Sequence, residues 1–339
     1  MSPRSLEGFS ASVRGFGKEP LNTTELIKDL ARVKRKQAPL WEEMRRRNHK
    51  HSIKVRGCGS YLELREWLEH DGQCTVQTAN FCKKSVICNL CAIRRSAKLC
   101  KAYEAKILEV LSDPHHVNLK PVMITLTVKN EDDCRERFLH LKHSFRKLTR
   151  KASDYKRRKN KEGAPPEFCK VSGGVYSYEV KRGRGGKWHP HLHIFALLEN
   201  WIDCEALSQE WEEVTGDSKI IDVRECQGGI LKGLIEVLKY TTKFSEMSPA
   251  DILTVEETVQ GATLVNPLGI LRGVQVEELD HDEQLDGDFI DYIALFMYQK
   301  NGYRLKLKRE LHDDDEPSAE GARRIEEERE ILKKARMCV

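Results

Sequence analysis

An α+β fold built on a central antiparallel sheet is predicted for this 339-residue chain from three observations. Strand-like and helix-like apolar periods follow one another between residues 121 and 244 in the order βαββαβα. Two successive strand patterns are joined by Arg182-Gly183-Arg184-Gly185-Gly186-Lys187, a glycine-rich hairpin signal. With 39% hydrophobic residues, the chain can bury one substantial core plus a small appended module.

Taken in order, residues 1–55 are polar and basic (Lys34-Arg35-Lys36, Arg45-Arg46-Arg47) and read as an N-terminal arm ending in a short helix. Residues 56–115 form a cysteine-rich module with a helix near 93–111. The core, 116–247, starts with the apolar strand 121–129, followed by a helix at 131–153 and strands at 169–181 and 188–198. A helix at 203–215 and a strand at 219–225 come next. The last helix, 229–244, repeats Ile230, Leu231, Leu234, Val237, Leu238 and Thr241 at helical spacing. This is the ferredoxin-like, or RRM-like, order, expected to place helices on one face of the sheet and leave the other open. Residues 248–339 read as mostly helical: 264–276 fits strand or loop, and 288–297 fits a helix with an apolar stripe. The acidic group Glu277-Glu278-Leu279-Asp280-His281-Asp282-Glu283 precedes that stripe, and a charged, solvated helix at 318–335 follows Asp313-Asp314-Asp315-Glu316.

Chemistry concentrates in three places. In Trp188-His189-Pro190-His191-Leu192-His193-Ile194-Phe195, side chains at i and i+2 share a strand face. His191 and His193 therefore project together, about 7 Å apart along the strand, while Leu192 turns into the core. Two imidazoles on one rigid face make half of a metal site. In the 229–244 helix, Glu236, Tyr240 and Lys243 fall at i, i+4 and i+7, so a carboxylate, a phenol and an ammonium line one face. The third place is cysteine-rich. Of 11 cysteines, Cys88 and Cys91 have CxxC spacing and Cys82 lies just upstream. Cys58 completes a four-thiolate zinc set, with Cys74 the rival for the fourth position and Cys100 a weaker one. Residues 1–18 lack the apolar core of a secretory signal and no apolar stretch approaches a membrane span. Cytosolic cysteines at this spacing read as metal ligands rather than disulfides, and a bacterial cytoplasm is the expected location.

These motifs together resemble the HUH endonucleases, most closely the single-tyrosine replication initiators of small rolling-circle plasmids. The histidine-hydrophobic-histidine strand matches, as does a glutamate one turn before the tyrosine. Pro121-Val122-Met123-Ile124-Thr125-Leu126-Thr127-Val128 resembles the family's first-motif strand. Cys58-Gly59-Ser60, Phe81-Cys82-Lys83-Lys84 and Cys88-Asn89-Leu90-Cys91 resemble its cysteine motifs, with Asn89 where relatives commonly carry proline. The resemblance covers roughly residues 55 to 245. It implies an HUH endonuclease fold and a metal-dependent single-strand DNA endonuclease and strand transferase. It also implies that Glu236 activates water for a terminating hydrolysis.

The residues support the same chemistry. A phenolate such as that of Tyr240 can attack a DNA phosphodiester if a divalent cation polarises the phosphoryl oxygen and neutralises charge on the departing 3′ oxygen. His191 and His193 would supply two ligands. The preceding strand offers Glu179 as the third, brought alongside by the hairpin, and such an N/O site suits Mn²⁺ or Mg²⁺. His189 shares the face, but Pro190 and its place at the strand entrance give it a supporting or DNA-facing part. Attack leaves the protein on the 5′ phosphate and frees a 3′ hydroxyl, and the covalent link allows resealing. Lys243 would stabilise phosphoryl charge or lower the phenol pKa, and the absence of another tyrosine in 235–246 favours a one-tyrosine enzyme.

Net charge is only +5 but uneven. Lys142, Arg146, Lys147, Arg150, Lys151, Lys156, Arg157, Arg158, Lys159 and Lys161 crowd one helix and the loop after it, as phosphate binding requires. Arg182, Arg184, Lys187 and Lys239 are further DNA-contact candidates. The expected partners are single-stranded or hairpin origin DNA of the protein's own plasmid, a host helicase and a DNA polymerase; a homodimer is open, and no membrane is involved. The rivals are a relaxase or transposase of the same fold, and a non-catalytic zinc-containing nucleic-acid-binding regulator.

Overall fold

Along the residues that this computed structural model describes (23–67, 73–158, 163–239, 247–274, 291–299 and 302–311), the elements follow in chain order. They are α1 (Thr23–Lys36), α2 (Ala38–Arg46), α3 (Ser52–Arg56), β1 (Tyr61–Trp67), β2 (Gln73–Ala79) and α4 (Asn89–Ser112). Then come β3 (Lys120–Thr127), α5 (Cys134–Arg157), β4 (Val171–Arg182), β5 (Trp188–Leu198), α6 (Cys204–Thr215), β6 (Ile221–Glu225) and α7 (Gly229–Leu238). The last are α8 (Pro249–Thr258), β7 (Val265–Gly269), β8 (Asp291–Gln299) and β9 (Gly302–Leu311). The chain divides into two units, one of residues 84–277 with 1–13, the other of 14–83 with 278–339.

The 84–277 unit is built on a five-stranded sheet in the order β6-β3-β5-β4-β7, antiparallel at every step. In the β4–β5 hairpin, Glu179 stands opposite His191, Ser177 opposite His193 and Val175 opposite Phe195. On the other flank of β5, Thr125 stands opposite His193 and Thr127 opposite His191. Opposed residues share a face. One face therefore carries Met123, Thr125, Val175, Ser177, Glu179, His191, His193 and Phe195. The other carries Ile124, Leu126, Tyr176, Tyr178, Leu192 and Ile194.

Helices cover both faces, which corrects the expectation of an open one. On the second face, the Phe138 ring of α5 meets the Tyr178 ring edge-on at 5.5 Å. Buried Trp211 seats α6 by donating its indole N–H to the Thr127 carbonyl at 2.9 Å. On the first face, Leu99, Tyr103 and Ile107 of α4 and Leu234, Val237 and Leu238 of α7 join Met123, Val175, Phe195 and Leu197 in one cluster. Half of that face is apolar and is driven to burial; its other half is the polar set around the histidines. Gly233 permits the close approach of α7. A Cβ there would lie 3.0 Å from Phe195 ring atoms and 2.9 Å from the Cys226 sulfur, which outweighs the roughly 0.5–1 kcal/mol that a mid-helix glycine costs.

The helix expected over 229–244 stops at Leu238, and Lys239 turns to ψ 146°. The carbonyls of Val237 and Leu238 would serve residues 241 and 242 in a continuing helix. They accept instead from the Ser177 hydroxyl and, at 2.6 Å, from the Ser96 hydroxyl. Both serines are buried. Tertiary partners thus end the helix where its own periodicity would extend it.

In the 14–83 and 278–339 unit, a four-stranded sheet runs β2-β1-β8-β9. The stretch expected as an apolar-striped helix at 288–297 is largely β8, paired with β1 (Tyr61 opposite Met297) and with β9 (Tyr298 opposite Tyr303). Its aromatic and β-branched composition suits a strand, and its partner strand β1 lies over 200 positions away in the sequence. The β1–β2 hairpin was not visible as a strand pattern in the sequence. Nor is 23–56 a loose arm: Leu26, Leu30, Leu40, Met44 and Val55 are buried. Lys34 is buried too, its ammonium 5.2 Å from the Trp41 ring centre and 4.7 Å from that of Tyr298, donating to the Cys58 carbonyl. The 318–335 segment lies outside the described residues. Among the described residues, no helix is long and apolar enough to cross a membrane.

Candidate active site and metal centres

Strand register builds the first site. Glu179, His191 and His193 are 3%, 4% and 8% exposed, and one ligand atom from each lies within 4.8 Å of the others. His193 Nε2 is 3.2 Å and His191 Nε2 3.4 Å from Glu179 Oε2. The opposite edge of each imidazole is held by the sheet. His193 Nδ1 is 3.1 Å from the Thr125 hydroxyl, and His191 Nδ1 is 3.3 Å from the His189 carbonyl oxygen. His189 thus supports the site through its backbone, while its own ring is bonded to the Asn130 side-chain oxygen.

Protonation follows from these partners. A carbonyl only accepts, so His191 Nδ1 donates to the His189 oxygen and Nε2 is the nitrogen that meets Glu179. Burial lowers the His191 pKa, against the opposing pull of Glu179. Burial alone would raise the Glu179 carboxyl, but the two imidazoles hold it well below the usual carboxylate range. His191 Nε2 and Glu179 Oε2 face each other at 3.4 Å, a gap in which a metal cation can take the place of the shared proton. Two imidazoles and one carboxylate form a donor set for a divalent transition metal or Mg²⁺, so the residues fit such an ion.

Ser177, directly opposite His193, ties this site to the end of α7 through the Val237 carbonyl. Within α7, Glu236 is ion-paired with Arg224 of β6, which also lies 3.5 Å from Asp222. Tyr240, Lys243, Lys159 and the side chain of Arg184 lie outside the described residues. Sequence reasoning missed Thr125, Asn130, Ser177 and Ser96. The i, i+2 alternation beside the histidine strand could have flagged Thr125; nothing in the sequence marks Ser96.

The cysteines of the expected zinc set are all buried, Cys58 and Cys82 in the 14–83 unit and Cys88 and Cys91 in the 84–277 unit. Four such cysteines are the donor type of a structural tetrahedral zinc, with bonds of about 2.3 Å. Cys58 and Cys82 are each followed by a left-handed residue, Gly59 at φ 61° and Lys83 at φ 57°, and the Cys82 N–H donates to the Cys58 sulfur at 3.4 Å. Cys88 is the N-cap of α4 and Cys91 lies in its first turn. Cys74 is buried in β2. In the core of the 84–277 unit, burial first and Glu104 second push the Cys100 thiol up to about 12.

The basic candidates fare unevenly. Arg182 stacks 3.6 Å from the Trp188 ring centre and pairs with Asp251 at 2.7 Å. Lys187 pairs with Glu131 at 3.4 Å and Asp132 at 3.7 Å, and Arg157 pairs with Asp154. The hairpin cations thus fasten β4 and β5 to their neighbours. Arg158 caps the end of α5 and Lys239 that of α7.

The sequence profile of a family described as Replication protein matches residues 73–294, more than half of the chain. Searches of curated proteins and of solved structures find no match.

Proposed function

Because the chain belongs to the Replication protein family, we propose that it initiates rolling-circle replication of a plasmid by nicking and rejoining one strand of its origin DNA. The observation that carries this reading is the convergence of Glu179, His191 and His193 beside Ser177, which also holds the α7 carbonyl three residues before Tyr240. The strand order β6-β3-β5-β4 is that of a ferredoxin-like core and supports an HUH-type fold.

On this reading the Tyr240 phenolate attacks the phosphorus, a Tyr–O–P bond forms and the P–O3′ bond breaks. The phenol proton goes to solvent, and the departing 3′ oxygen takes a proton from solvent to become a hydroxyl that a polymerase can extend. Mn²⁺ or Mg²⁺ held by Glu179, His191 and His193 would supply phosphoryl polarisation and charge neutralisation. The sheet fixes both imidazoles through Thr125 and the His189 carbonyl, so the ligands are set before DNA arrives. Glu236, one turn before Tyr240, serves as general base for the terminating hydrolysis, and its pairing with Arg224 holds it on the β6 side. Lys243 stabilises phosphoryl charge. Lys239, Arg158, Lys159 and Arg184 contact DNA, and the Cys58, Cys82, Cys88 and Cys91 thiolates hold a structural Zn²⁺. A host helicase extends the opening that the nick creates.

The test incubates full-length protein with Mn²⁺ and single-stranded DNA tiled across its gene's flanks, then resolves products on a denaturing gel. The expected result is a covalent adduct mapped by peptide mass spectrometry to Tyr240, absent in Tyr240→Phe and His191→Ala. Binding without adduct under every divalent metal tried would move a non-catalytic regulator to first place.

A further inference from the structure

On the face of the 84–277 sheet opposite the Glu179 trio, α5 overhangs β4 and leaves a cleft of about 740 Å³. Tyr176, Tyr178 and Phe145 line it as an aromatic floor, with ring centres 4.8 Å apart for Phe145 and Tyr176 and 5.7 Å for the two tyrosines. Lys142, His143 and Arg146 line it from one stripe of α5. Glu136 is the one acidic side chain in the lining among the described residues. Arg146 donates to His143 Nδ1 at 3.0 Å, which leaves the other ring nitrogen of His143 as an N–H donor. Burial raises both phenols, so the floor is neutral and suited to stacking rather than to nucleophilic attack.

We propose that this cleft binds a nucleotide of single-stranded DNA, its base against the tyrosine floor and its phosphates on Lys142, His143 and Arg146. The cleft is of ligand size, and an aromatic platform beside a cationic rim is the combination that holds unpaired nucleotides without reading their sequence. Side chains alternate along β4, so Tyr176 and Tyr178 point away from Ser177 and Glu179. The nucleotides held here are therefore not those being cut. The cleft retains another part of the strand while the trio face does chemistry. This rests on the DNA-handling part of the reading above and adds a second contact to it.

The probe is an oligothymidylate of about 15 nucleotides carrying 5-iododeoxyuridine at single positions, irradiated with the full-length protein. The expected crosslinks map by mass spectrometry to Tyr176, or to the 134–157 peptide at His143. Arg146→Ala and His143→Ala each raise the dissociation constant by about fivefold to tenfold. Lys147→Ala, one position off the cleft on the same helix, raises it by about twofold, since it removes only general charge. Crosslinks confined to other peptides, or a Lys147→Ala loss equal to that of Arg146→Ala, would overturn the cleft. Neither readout needs nicking, so this result and the Tyr240 adduct can fail separately.

Discussion

Thr125 shows how one hydroxyl orients a side chain of the candidate metal site. Its oxygen lies 3.1 Å from His193 Nδ1 and so sets the orientation of the ring whose Nε2 faces Glu179. Thr125→Val keeps the shape but deletes that partner, and Mn²⁺ affinity by electron paramagnetic resonance is expected to fall about tenfold, with Thr125→Ser restoring it. Unchanged affinity would mean strand rigidity alone orients His193. A second residue-scale case is Asp217. Burial alone would raise its carboxyl, but the Ser218 hydroxyl, buried Arg137 and His140 hold it below its ordinary 3.8. Arg137 donates to it through both terminal nitrogens at 2.9 Å. A carboxyl with a depressed folded-state pKa adds stability above its unfolded pKa, and that stability drains away as pH falls through the lower folded value. Thermal melts should therefore show wild type losing its advantage over Asp217→Asn as pH drops below 3.8. An advantage that persisted into stronger acid would count against the ion pair.

Among elements, α7 is the one whose end matters most. Its apolar face fixes it on the sheet, Gly233 lets it come close, and Ser177 and Ser96 end it by taking the Val237 and Leu238 carbonyls. The segment carrying Tyr240 thus leaves the helix from a point anchored beside His193. Ser177→Ala should slow single-turnover nicking at saturating DNA about tenfold, the cost of a poorly held nucleophile, while DNA affinity stays within about twofold. Equal rates for the two proteins would remove Ser177 from the positioning of that segment. Sequence periodicity could not have given this, because Tyr240 to Lys243 continue the apolar rhythm of the helix. The stop comes from two hydroxyls contributed by β4 and α4.

For the whole molecule, the cysteine group is the feature with the broadest reach. Cys58 and Cys82 stand just before left-handed residues, and Cys88 and Cys91 stand at a helix start. Metal binding there would count as folding free energy. Cys58→Ser is expected to lose the zinc measured by mass spectrometry of the native protein and to melt at lower temperature. Full zinc content in that variant would return Cys74 to consideration. With a net charge of only +5, the DNA binding proposed above would rest on local clusters such as the cationic rim of α5.

Local pattern was enough for the core. Alternation in 188–198 marked the histidine strand, the glycine-rich loop set the hairpin, and CxxC spacing marked the cysteine group, because each rests on period, turn chemistry or ligand spacing written within a few residues. What the sequence left undecided are matters of distant partners. The 291–299 strand is a strand because β1 and β9 flank it. The sheet face expected to be open is half covered because its apolar half needs α4 and α7. The Arg182 and Lys187 side chains, expected on DNA, pair with Asp251 and Glu131. The sequence determined which chemical groups this protein owns and which strand holds its histidines. Only the tertiary structure decided where α7 ends and which hydroxyls and carbonyls orient those groups, since such contacts join residues that are far apart in the chain and carry no local period.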